Sequence, residues 1–398
     1  MLSFKLCNVK TYAILFAVFL YSFSKPFPST VSFLELSIFV FLVVFSADGY
    51  LRVFLLARPI VSLAFCVTLF IPLFVGLYLG NKPHDVIRDL IPLFYFYLAF
   101  VAPNRNEENA LIMIRYLPFF LVLCGLVYSL RELLPFYVNG GGRMLVTSDY
   151  FIQSPAVLFS AAFLLSTFFR KFSSSEHLQS VLFLLLFLLP VMAFYKGVLR
   201  APLFLSILFP VLYYVYISNK KLIRLLCTSL LIFGFVFVQW GNLISALELF
   251  VLKQQNYGSN GKVDELLKVF EIVFSSSDLG AMLFGKGWGG VWYSPAVGLE
   301  VRYTHSLFTF MLLKMGLIGV VLFAFLLFSI ASKLWKLLFK TDDPYILSII
   351  FSVVPVLIVN IFLESAYKTL DFGVILLLLF TSWSVCEKVR CYAKTQPL

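Results

Sequence analysis

Charge is scarce in this sequence. Only 13% of its 398 residues are Asp, Glu, Lys or Arg, whereas 61% are hydrophobic and 18% aromatic. A soluble domain carries about 25% charged residues and cannot hide so much apolar surface in one core. The bilayer is therefore the solvent that this composition requires. Cysteine is sparse as well, with six residues, none of them between positions 241 and 303. Cys66, Cys124 and Cys227 fall within apolar runs and Cys7, Cys386 and Cys391 near the ends, so no disulfide framework is expected. The three histidines, His84, His177 and His305, show no spacing of a metal-ligand set. Neither an Asp-x-Asp motif nor a phosphate-binding Gly-Lys-Ser/Thr turn occurs, so no cofactor and no metal are expected. The formal charge of +11 could suggest a nucleic-acid partner. Its cations, however, form short clusters between apolar runs, which is the positive-inside pattern rather than a polyanion-binding stripe.

Apolar runs fit to cross about 30 Å of hydrocarbon lie near 10–24, 31–47, 60–80, 89–102, 111–134, 151–169, 178–195, 201–217, 225–240, 304–331, 345–363 and 371–386. They predict an all-α integral membrane protein with about twelve transmembrane helices. Residues 1–240 hold helices one to nine, 241–303 a long polar loop, and 304–398 helices ten to twelve with a tail. Lys5 and Lys10 before the first run resemble a signal peptide. No small-residue cleavage site follows in Tyr21–Pro28, so a retained span is expected. Short loops rich in Lys and Arg alternate with poorer ones. This places both termini in the cytoplasm and the 241–303 loop on the far side. The middle connection, Arg170 to His177, is short, which disfavours a carrier built from two six-helix halves.

Candidate chemistry collects on the loop side. Lys196 and Arg200 bring two cations to the tight turn between the seventh and eighth spans, with Pro202 suited to a first helical turn. They can bind an anion or snorkel to lipid headgroups. Arg143 lies in another outer loop. Within the long loop, Val263, Leu266, Leu267, Phe270, Val273 and Phe274 share one face of a helix predicted over Lys262–Phe274, and Asp264 and Lys268 can pair on the other. Gly285-Lys286-Gly287-Trp288-Gly289-Gly290 permits tight turns, and Trp288 can stack on a sugar or sit in the interfacial aromatic belt. Arg302-Tyr303-Thr304-His305 opens the tenth span, where Thr304 can cap the helix. Lys314 lies three turns into that span. A charge at that depth requires a partner, for which Glu35 and Glu364 are candidates.

Taken in order, Arg200-Ala201, the loop element Gly285–Gly289, His305, and Lys314-Met315-Gly316-Leu317-Ile318-Gly319 resemble the O-antigen polymerase and O-antigen ligase superfamily. The resemblance covers mainly the second half of the chain. Ser306 stands where that family often has an amide and Lys314 where it often has an acid. An arginine common early in the loop is missing, with Lys262 as a stand-in. The resemblance implies a metal-independent glycosyltransferase of the bacterial inner membrane, with its loop in the periplasm. Its donor and acceptor would be undecaprenyl-pyrophosphate-linked oligosaccharides, and its partners membrane lipid, a chain-length regulator and a flippase. Arg200, Arg302 and His305 would be catalytic, and Lys196, Lys286, Trp288, Arg143 and Lys262 would bind substrate. Polymerisation of repeat units is the leading activity; ligation to lipid A–core and flipping of the lipid-linked sugar are the alternatives.

Overall fold

The computed structural model describes residues 2–24, 32–55, 59–101, 107–138, 151–197, 199–217, 262–275, 279–295 and 298–395. The predicted ninth span at 225–240 and the first part of the loop, 241–261, lie outside the described residues. Before the loop come α1 (Leu2–Tyr21), α2 (Phe33–Phe45), α3 (Ala47–Phe54), α4 (Pro59–Tyr78), α5 (Pro83–Val101), α6 (Glu107–Val138), α7 (Pro155–Ser173), α8 (His177–Lys196) and α9 (Arg200–Ile217). The loop holds α10 (Lys262–Phe274), α11 (Leu279–Phe284) and a hairpin of β1 (Trp292–Ser294) with β2 (Leu299–Val301). Then follow α12 (Leu307–Lys340), α13 (Pro344–Ile358) and α14 (Leu370–Thr395).

Eight helices among the described residues are long and apolar enough to cross a membrane, in α4, α6, α7, α8, α9, α12, α13 and α14. The chain is thus an α-helical, multi-pass membrane protein. The hairpin is an addition to the expected all-α class. It pairs Tyr293 with Glu300 in antiparallel register, and Gly298 at φ 69° closes its turn.

Local chemistry sets the helix starts. Ser154 caps α7 through Ala156 N at 3.2 Å, and Asp343 caps α13 through Tyr345 N at 2.8 Å, each with proline at the first helical position. The centre of the bundle is α7, buried along most of its length and packed against α6, α8, α9 and α13. Small residues allow this closeness. A Cβ on Gly125 of α6 would stand 2.4 Å from the carbonyl of Ala156.

Two boundaries differ from expectation in ways that build the site. The predicted fourth span begins earlier, at Pro83, so that Asp85, Arg88 and Asp89 ride on α5. The predicted tenth span continues to Lys340 and breaks at Gly316, where φ is 57° and ψ −144°. Only glycine adopts that conformation freely. At the break, the carbonyls of Leu313 and Lys314 accept the backbone N–H groups of Lys286 and Gly287 at 2.8 and 3.0 Å.

Candidate functional site at the mouth of α12

Residues 302–306 lead into α12 and are tied down on every side. Arg302 forms an ion pair with Asp85 of α5. The Tyr303 hydroxyl donates to the carbonyl of Arg88 at 3.1 Å, and Lys368 lies 4.1 Å over the Tyr303 ring. The Tyr367 hydroxyl donates to the carbonyl of Thr304 at 3.1 Å. The cap of α12 is Ser306, which accepts from Thr309 N at 3.2 Å; Thr304, expected in that role, donates to the Ser306 carbonyl instead.

His305 is held by Glu265. One carboxylate oxygen accepts the backbone N–H of His305 at 2.9 Å, and the other meets the imidazole Nδ1. The His305 side chain keeps 38% of its surface open while Glu265 keeps 2%, so the carboxylate is hidden and the ring can be reached. A buried carboxylate that fixes the ring orientation is the base–orienter arrangement of many histidine sites.

Glu265 lies on α10, on a side that shares only Val273 with the predicted apolar stripe. The inward side is Glu265, Val269 and Val273, the two valines packing on Trp292, Leu312 and Leu313. Val263, Leu266, Leu267, Phe270 and Phe274 are exposed. Lys268 pairs with Glu271 at 2.9 Å, not with Asp264.

Lys314 has neither of its expected partners. Its Nζ is 2.6 Å from Asp89 Oδ2 and 2.7 Å from the carbonyl of Gly290, with no exposed surface on either charged side chain. Gly289 N also donates to Asp89 Oδ2 at 2.7 Å. The glycine-rich element is thereby stitched to α5 and α12. It is also stitched to α4, where Pro72 has no N–H to offer the carbonyl of Thr68. Trp288 Nε1 fills that place at 3.1 Å, and Trp288 N donates to the carbonyl of Pro72 at 2.8 Å.

The predicted site residues are therefore spread. Arg302 and His305 are brought together. Trp288 is buried against Phe310, and Lys286 reaches the carbonyl of Val291 at 3.1 Å. Burial holds the Lys286 ammonium below the usual lysine range, with Glu300 opposing. Lys196 is buried against Glu132 at 3.0 Å, which balances its charge within the fold. Arg200 opens α9, as expected from Pro202, on a helix that packs against α7 and α13. Arg143 and the Lys262 side chain lie outside the described residues. Among the described residues, no three His, Cys, Asp or Glu side chains form a group able to hold a metal ion.

Sequence reasoning missed Glu265, Arg88, Asp89 and the role of Lys368. Lys368 sits in a turn after α13, where burial, then Arg88 and Arg302, push its ammonium down to about 7 against the pull of Asp89 and Glu35. Compared with known proteins, the chain matches no family model and no curated protein.

Proposed function

We propose that this chain is a membrane glycosyltransferase that polymerises lipid-linked polysaccharide repeat units. It transfers the growing glycan from undecaprenyl pyrophosphate to the terminal sugar of the next lipid-linked unit. The observation that carries this reading is the reachable His305 imidazole, held by buried Glu265, three residues from Arg302.

The roles follow from the bonds exchanged. An acceptor hydroxyl attacks the anomeric carbon, the anomeric C–O bond breaks, and pyrophosphate leaves with its charge. With Nδ1 committed to Glu265, Nε2 of His305 orients the hydroxyl or takes its proton. Arg302 and Arg88 supply positive charge for the leaving pyrophosphate, and Lys368 adds to it on the acid side of neutrality. The donor bond stores the free energy, so no nucleotide is consumed. In this reading the chain has about twelve spans in the bacterial inner membrane, with both termini cytoplasmic and the site periplasmic.

The test is a deletion strain in which surface lipopolysaccharide and undecaprenyl-linked intermediates are resolved. Core bearing one repeat unit, with the ladder gone, is the expected result. Bare core with long lipid-linked polymer stranded outside would assign ligation instead. Single lipid-linked units trapped inside would assign flipping and overturn the transferase reading.

A further inference from the structure

Although α10 belongs to a polar loop, it shows an apolar side to its surroundings. At about 100° per residue, its positions fall on three sides. Glu265, Val269 and Val273 pack inward. Asp264, Lys268 and Glu271 form a charged side, on which Lys268 and Glu271 pair at 2.9 Å. The third side is Val263, Leu266, Leu267, Phe270 and Phe274, all exposed, Leu267 to 62% and Val263 to 54%. A helix on a protein surface in water needs two sides only, one packed and one polar. An additional side that is apolar and open calls for a solvent other than water.

The break in α12 sets the depth of that side. In a straight helix Phe308 and Phe323 would stand roughly 22 Å apart along the axis. Their ring centres are 5.4 Å apart, so the two arms that meet at Gly316 lie side by side. Phe270 of α10 is 6.2 Å from Phe308, which brings α10 to the level of Phe323. The longer arm, 317–340, is about 36 Å long and crosses about 30 Å of hydrocarbon by itself. Phe323 is about 9 Å below the start of that arm. Interfacial helices seat their apolar faces about 5–10 Å into the boundary between headgroups and acyl chains, the same depth. Val321 and Phe328 of the longer arm are exposed, so the open apolar surface of α12 reaches the level of α10.

We propose that α10 is an interfacial helix seated in the lipid leaflet at the loop end of the bundle. Val263, Leu267, Phe270 and Phe274 lie among the upper acyl chains, and Asp264, Lys268 and Glu271 face headgroups and water. Two observations select lipid as the occupant. The apolar side stands at the depth where the exposed surface of α12 is still within the span, and a charged side bounds it where the leaflet ends. Because the inward side of the same helix carries Glu265, the leaflet bears on the carboxylate that holds His305. The inference rests on this geometry and is independent of glycan transfer.

The test places the photo-cross-linking residue benzoylphenylalanine, one position at a time, at Phe270, Val263, Asp264 or Val321 of the full chain. Each variant would be irradiated as one copy per nanodisc of radiolabelled phosphatidylcholine, and lipid bound covalently to the chain counted. Positions 270 and 263 are expected to capture lipid as well as position 321 of α12, and position 264 about tenfold less. If the variant at Phe270 does not accumulate, the more exposed Val263 answers the same question. No lipid captured at either apolar position of α10 would overturn the proposal. So would equal capture at Asp264, or cross-links from Phe270 and Val263 to protein in place of lipid.

Discussion

Glu265 receives His305 twice, through the backbone N–H on one oxygen and Nδ1 on the other. A carboxylate only accepts, so the bonded nitrogen carries the hydrogen, and in the neutral imidazole Nε2 is then the acceptor. The anchor is firm because Val269 and Val273 seat the same face of α10 on Leu312 and Leu313.

His305→Ala is therefore expected to lower glycan transfer by about a hundredfold or more, the scale of a positioned acid–base group. Glu265→Gln keeps the size but loses the charged acceptor, and a drop of roughly tenfold is expected from losing an orienting partner. Ladder length and in vitro transfer at matched membrane abundance measure both. Wild-type ladders from the two variants would remove His305 from the site.

Gly287→Ala tests the stitching of the loop. The residue has φ 69°, and an added Cβ would stand 2.3 Å from the backbone N of Gly76. Gly80 has φ 72° with nothing within 4 Å of the same added atom. Gly80→Ala should cost about 1–2 kcal/mol of backbone strain alone, whereas Gly287→Ala must also push α4 and the loop apart. Membrane abundance and detergent melting temperature should fall clearly further for Gly287→Ala. Equal losses would mean that the close approach to Gly76 is not what glycine serves there.

The helices were legible in the sequence because their signal is length and apolarity, and the bilayer enforces both. The helix over Lys262–Phe274 was legible for a similar reason, since its apolar period is clear. Its inward face was not. Of the strongest stripe, Val263, Leu266, Leu267, Phe270 and Phe274 turned outward, and Val273 joined Glu265 and Val269 on the inward side. Spacing alone ranks stripes by hydrophobicity, so a buried carboxylate on the lesser stripe is scored as solvent-facing. Asp89 was hidden by a boundary error of a few residues. Had α5 been started at Pro83, Asp85, Arg88 and Asp89 would have fallen on one or two turns of a helix entering the membrane. The partner of Lys314 is 225 residues away in the chain, and no local pattern encodes such a pairing.

The Asp89–Lys314 pair yields a sharper stability test than any surface pair. Removing one partner leaves the other charge buried and unmatched, at a cost of about 3–5 kcal/mol. Lys314→Met and Asp89→Asn should each lower the detergent melting temperature and the membrane abundance. The double variant should recover much of the loss, since two neutral groups are left. Single variants as stable as the wild type would show that water reaches the pair and solvates it.

Lys368 gives the pH dependence. Its ammonium is held at about 7 in the folded chain, against about 10.4 for an ordinary lysine. Between those values the unfolded chain binds the extra proton, so stability should rise with pH across the window and fall as pH drops through 7. Hold on the leaving pyrophosphate should move the other way, because the third cation beside Arg88 and Arg302 is present only on the acid side of neutrality. Melting temperature and transfer at sub-saturating donor should therefore respond to pH with opposite slopes near neutrality. Lys368→Met removes the titrating group and should flatten both profiles. Profiles that keep their slopes in that variant would assign the titration to another group.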